Sequence, residues 1–166
     1  SRTPAPRRAA DPPPETAGAR PVVLFVGTSL TAGYGLPSEQ AYPALIQRRI
    51  DAADLDFRVV NAGVSGDTSA GGLRRIDWLL RAPVAVLFLE LGANDMLRGQ
   101  SVESMRSNLR GILDKVRAAR PSVRFVIAGM RAAPNLGPAY GREFGGSFVL
   151  IAREYDAALI PVVLDG

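Results

Sequence analysis

From Pro21 onward the chain alternates between short unbroken apolar runs and longer stretches of helical period, and this alternation restricts the fold more than any other feature. Val22 to Val26, Phe57 to Val60, Val84 to Leu89, Val123 to Ala128 and Ala158 to Leu164 are each too short for a buried helix. They read as strands buried on both faces. Between them, Ala41 to Asp51, Ser69 to Arg81 and Val102 to Arg120 carry apolar residues three and four apart. Leu45, Ile46 and Ile50 form one stripe, and Leu109, Ile112, Leu113 and Val116 another. Met130 to Gly146 is punctuated by Pro134, Gly137, Pro138, Gly141 and Gly145. It is expected to be a long irregular loop leading into a helix near Phe148 to Tyr155. Five buried strands separated by helices predict an α/β protein with one parallel sheet, helices on both faces and right-handed crossovers.

Residues 21–166 are expected to form one domain. Its 47% hydrophobic content suffices for a core of ordinary size. Residues 1–20 are Pro, Ala and Arg with almost no large apolar side chain, and are expected to be a flexible lead-in. A spacer of this composition often follows an export signal or lipid anchor, so a periplasmic or secreted location is expected, with the cytoplasm as the other option. No run approaches the roughly 20 apolar residues of a membrane span. With no cysteine and no histidine, disulfides and thiolate or imidazole metal sites are excluded. The net charge of +4 is spread over separate helices, as in Arg48-Arg49, Arg74-Arg75 and the Arg110, Arg117 and Arg120 series. No aromatic residues interleave with these basic pairs as a stacking platform for nucleic acid requires.

In a parallel sheet, ligands bind at the carboxyl ends of the strands. Three polar blocks fall there: Gly27-Thr28-Ser29-Leu30, Asn61 to Thr68, and Gly92-Ala93-Asn94-Asp95. Taken singly, Ser29 reads as a helix cap, Gly66 as a residue permitting an unusual backbone angle, and Asn94 or Asp95 as a turn residue. Together they supply a hydroxyl, an unobstructed backbone N–H and a side-chain amide. Acyl transfer through a tetrahedral intermediate needs such donors, each worth about 3–4 kcal/mol where measured.

Val26 to Gly35, Asn61 to Thr68 and Leu91 to Asp95, followed by Leu97-Arg98-Gly99, resemble the first three blocks of the SGNH (GDSL-type) hydrolases. Within that family they are most similar to the bacterial acyl-CoA thioesterase, lysophospholipase and arylesterase group. The resemblance implies a three-layer α/β/α flavodoxin-like fold. It implies Ser29 as nucleophile, with the Ser29 N–H, the Gly66 N–H and the Asn94 side chain as oxyanion donors. It also implies hydrolysis of small-molecule acyl esters or thioesters, no cofactor, and a monomer when the chain is complete. The loop from Arg131 to Gly137 corresponds in position to the family's acyl-binding loop, and Leu136, Tyr140 and Phe144 are read in two ways, as the lining of an apolar substrate channel or as side chains that pin the loop to the body.

Two positions depart from the family pattern. Thr28 stands where the family usually has Asp, and its hydroxyl is expected to make a local backbone hydrogen bond. The family's last block, Asp-x-x-His, is absent from these 166 residues, and the expected fold lacks its last helix. A serine without a base is a poor nucleophile, and removing the histidine of subtilisin costs on the order of a million-fold in turnover. Glu39, Glu90, Asp67 and Asp95 are the nearby acids, none of them a substitute, so the chain as given is expected to be inactive. The alternatives are an SGNH-like domain that binds without catalysis and a flavodoxin-like phosphate- or nucleotide-binding module. Against the latter, the first turn lacks a phosphate-cradling glycine pattern.

Overall fold

The computed structural model describes residues 20–161. The lead-in up to Ala19 and the end of the last expected strand, residues 162–166, lie outside the described residues. Five strands form one parallel sheet: β1 (Val22–Gly27), β2 (Arg58–Gly63), β3 (Val84–Glu90), β4 (Arg124–Ala128) and β5 (Ala158–Ile160), in the order β2-β1-β3-β4-β5. Between and beside them run α1 (Ser29–Ala32), α2 (Tyr42–Ala52), α3 (Ser69–Leu79), α4 (Ala93–Leu97), α5 (Val102–Ala119) and α6 (Pro138–Glu154). The expected parallel α/β fold is present.

β1 and β3, in the middle of the sheet, bury side chains on both faces, which is why their sequences are continuously apolar rather than alternating. The described part of β5, next to β4 alone, is exposed at Ala158 and Ile160 and so is not the doubly buried strand expected. Val22, Leu24, Val26, Leu87, Leu89, Phe125 and Ile127 point to one face and join the large core with α3, α5 and α6. Met105, Leu109, Ile112, Leu113 and Val116 are all buried there, so the stripe expected on α5 packs as read. The opposite face holds a smaller cluster of Phe25, Phe88 and Ala128, against which Tyr42 and Ile46 of α2 pack. Leu45 of the stripe expected on α2 is exposed, because this narrower cluster needs only one edge of the helix.

The long loop expected between Met130 and Gly146 is a correction. A single 3-10 turn, Pro134–Leu136, is followed at once by α6, ten residues earlier than the sequence suggests. Pro138 sits in the first turn, where a missing N–H costs nothing. Phe144, Ser147, Phe148, Ile151 and Ala152 then bury one helical face against the sheet. A Cβ at Gly141 or Gly146 would meet open space, so these glycines lie on the solvent side and do not break the helix.

Candidate active site

Gly27, the last residue of β1, pairs with Gly63 of β2 and with Glu90 of β3. The three turns that follow therefore leave the sheet at the same level and side by side. This register alone brings the three polar blocks together, although they lie far apart in sequence.

Ser29 opens α1, a helix of only four residues, and Thr28 occupies its cap position without a side-chain capping bond. The local backbone bond expected of Thr28 is not made. Its hydroxyl instead donates to the Glu90 carboxylate at 2.8 and 2.9 Å, and its backbone N–H donates to Glu90 Oε1 at 3.0 Å. The approach requires glycine at position 27: a Cβ there would collide with Thr31 Oγ1 and lie 2.8 Å from Glu90 Oε1.

The second block turns at Gly66, whose φ of +80° lies in the left-handed region that side chains disfavour. Arg98 Nη2 donates to the Gly66 carbonyl at 2.7 Å, and Asn94 Nδ2 donates to the Asp67 carbonyl at 3.0 Å. The third block thus holds the second at two successive peptides. Asn94 has a second amide N–H besides the one given to Asp67. The Asp67 carboxylate takes Arg75 Nε at 2.9 Å, while Arg75 Nη1 reaches the Ala62 carbonyl at 2.6 Å.

Asp95 is buried and serves another element than its own. It accepts the Ser69 N–H at 2.8 Å and the Ser69 hydroxyl at 2.5 Å, fixing the start of α3. Asn108 of α5 completes this cluster by donating to Ser69 Oγ at 3.1 Å.

Ser29 and Asn94 line one cleft of about 560 Å³, with Thr28, Glu90 and Ala93 at its base and Leu30, Met96, Leu97, Met130 and Pro134 among its walls. Gly66 lies beside it in the turn that Asn94 and Arg98 hold. Leu136, Tyr140 and Phe144 are not among the residues that line the cleft, and for Tyr140 and Phe144 the pinning alternative holds. Phe144 is fully buried in the core, Tyr140 stacks on it with ring centroids 6.0 Å apart, and Leu136 is exposed on the 3-10 turn. The early start of α6 turns Tyr140 and Phe144 toward the sheet, and only Met130 to Pro134 of this region reach the cleft. Among the described residues no three carboxylate, histidine or cysteine side chains converge as metal ligands.

The model of the GDSL-like lipase/acylhydrolase family matches residues 25–165, and so takes in all three blocks. The chain belongs to this family. Esterase TesA of Pseudomonas aeruginosa is 40% identical over 145 residues, covering 87% of this chain and 71% of the relative. The thioesterase 1/protease 1/lysophospholipase L1 of Escherichia coli is 37% identical over 151 residues, covering 90% and 70%. The crystal structure of AlinE4, an SGNH-hydrolase family esterase, superposes with a TM-score of 0.82 at 42% identity, covering 90% of this chain and 80% of that one. The expectation of an inactive chain finds no support in these likenesses, nor do the two non-hydrolytic alternatives. Fold and family are those of working ester hydrolases.

Residue-by-residue reading of the GDSL blocks misses the partners that hold them. Tyr42, Arg75 and Asn108 lie outside the blocks, Thr31 lies within the first block but with no role assigned to it, and Glu90 is recognisable only as an acid at a strand end.

Proposed function

We propose that this serine hydrolase of the ester-cleaving class acts through an acyl-enzyme on Ser29, with the Ser29 N–H, the Gly66 N–H and the Asn94 amide receiving the oxyanion. The observation that carries the reading is the shared cleft. Ser29 and Asn94 line the same space, and Asn94 itself holds the turn that presents Gly66. Preorganised donors of this kind stabilise charge that develops only in the transition state. The apolar wall of Leu30, Met96, Leu97 and Met130 supports an acyl chain as the bound portion of the substrate. Small carboxylic esters and thioesters fit this arrangement. Among the described residues no helix is long and apolar enough to cross a membrane.

The Ser29 proton needs an acceptor, and these 166 residues include no histidine. Free imidazole is therefore expected to accelerate the reaction from outside. The test measures p-nitrophenyl butyrate hydrolysis by the chain and by Ser29→Ala, each with and without imidazole, the S29A rate with imidazole setting the background. Hydrolysis above that background which rises with imidazole supports the reading. Equal rates for the two chains under both conditions would overturn it.

A further inference from the structure

A four-residue helix cannot hold its own orientation, since nucleation costs more than one turn of hydrogen bonds returns. Something outside α1 must therefore fix the direction in which Ser29 presents its hydroxyl. The described contacts identify it. Glu90 is 3% exposed, and its carboxylate accepts from three donors on either side of the nucleophile: the Thr28 N–H, the Thr28 hydroxyl, which lies within 2.9 Å of both carboxylate oxygens, and the Thr31 hydroxyl at 2.9 Å. No arginine or lysine ion-pairs with it among the described residues. The Thr31 hydroxyl also lies 2.6 Å from the Tyr42 hydroxyl, and Asn61 Nδ2 donates to the Thr31 carbonyl at 2.9 Å. Burial pushes the Tyr42 phenol well above its ordinary range, so it stays a neutral hydrogen-bonding group through any assay pH.

A buried carboxylate is expensive, and an apolar pair of the same shape would stabilise a strand end at least as well. Its neighbours are arranged to receive it: glycine at 27 clears the approach, and hydroxyls at 28 and 31 face inward. We infer that Glu90 is a positioning residue for Ser29, a carboxylate from β3 that clamps both flanks of the nucleophile turn. Glu90 transfers no proton in this role. It acts through Thr28 and Thr31. The inference rests on Ser29 being the nucleophile only for its kinetic consequence, whereas the clamp itself is a property of the folded chain.

The experiment compares wild type, Glu90→Gln and Glu90→Ala by thermal melting, backbone amide hydrogen exchange and p-nitrophenyl butyrate kinetics with imidazole present. Gln keeps the shape but replaces one acceptor oxygen with a donor. The expected result is that E90Q melts cooperatively, with exchange at Thr28 and at Ala32, whose N–H donates to the Thr28 carbonyl, at least ~10-fold faster and the amides of the β1 interior unchanged. Its kcat falls roughly 10–100-fold with KM within about twofold, the signature of a displaced nucleophile. Unchanged protection at Thr28 in a folded E90Q chain would overturn the clamp, whatever the kinetics. Lost protection with unchanged kcat would overturn its positioning role. Should wild type itself show no hydrolysis above the S29A background, the proposed function fails, and the exchange comparison still decides the clamp.

Discussion

Thr28 shows how one side chain can change its job when its surroundings do. In sequence it stands in for the acid usual in this block, with a local bond expected. In the fold it donates across 62 positions of sequence to Glu90. Thr28→Val is expected to leave a buried carboxylate short of a donor and cost about 1–3 kcal/mol, while Thr28→Ser keeps the hydroxyl and costs less than half of that. Urea unfolding of the three chains decides it, and equal losses for Val and Ser would show that the hydroxyl does not matter. Ser29, Gly66 and Asn94 were readable as candidates because each has a recognisable chemical type after a strand. Glu90 was not, since what it does depends on the pairing of Gly27 with Glu90, which no local pattern reveals.

At the scale of elements, strands and amphipathic helices followed directly from apolar runs and helical spacing, and β1, β3 and α5 begin where those patterns begin. The failure is α6. Pro138 and three glycines look like breakers in a string of letters, but Pro is harmless in a first turn and a glycine on the solvent face merely weakens a helix. The Tyr140, Phe144, Phe148, Ile151 series carried the helical period all along. The same helix start turns Tyr140 and Phe144 onto the core, where they pin the segment to the body instead of lining a channel. Element starts have their own partners, and α3 depends on the buried Asp95. Asp95→Ala leaves the Ser69 N–H and hydroxyl unsatisfied and is expected to cost about 2–4 kcal/mol from two lost bonds. Lys115→Ala, which removes the exposed Lys115–Asp77 pair on α5 and α3, is expected to cost less than about 1 kcal/mol. Chemical denaturation of both variants checks the contrast; comparable losses would refute it.

For the molecule as a whole, most of the buried apolar surface lies on one side of the sheet, under α3, α5 and α6. The candidate site occupies the rim above it, and Phe148 connects the two. Its ring packs on Phe144 with centroids 5.3 Å apart, and its Cζ lies 2.8 Å from where a Cβ on Gly92 would stand. Phe148→Ala is expected to cost about 3–5 kcal/mol. At roughly 2–4 °C per kcal/mol for a chain of this size, calorimetry should register a fall in Tm of roughly 6–20 °C. A loss under ~1 kcal/mol would mean that α6 is not integral to the core.

The base of the cleft and its walls are made differently. Thr28, Glu90, Asn94 and their partners are tied across β1, β2 and β3 by buried or half-buried bonds, whereas Leu97 is 73% exposed and Pro134 stands on an open turn. A change at Leu97 or Pro134 leaves the bonded ring untouched. On the proposed reading, the walls that meet the acyl chain can therefore change, by drift or by design, in a part of the molecule that stability does not police. A scaffold with that freedom is well suited to give rise to esterases, thioesterases and lysophospholipases from one architecture.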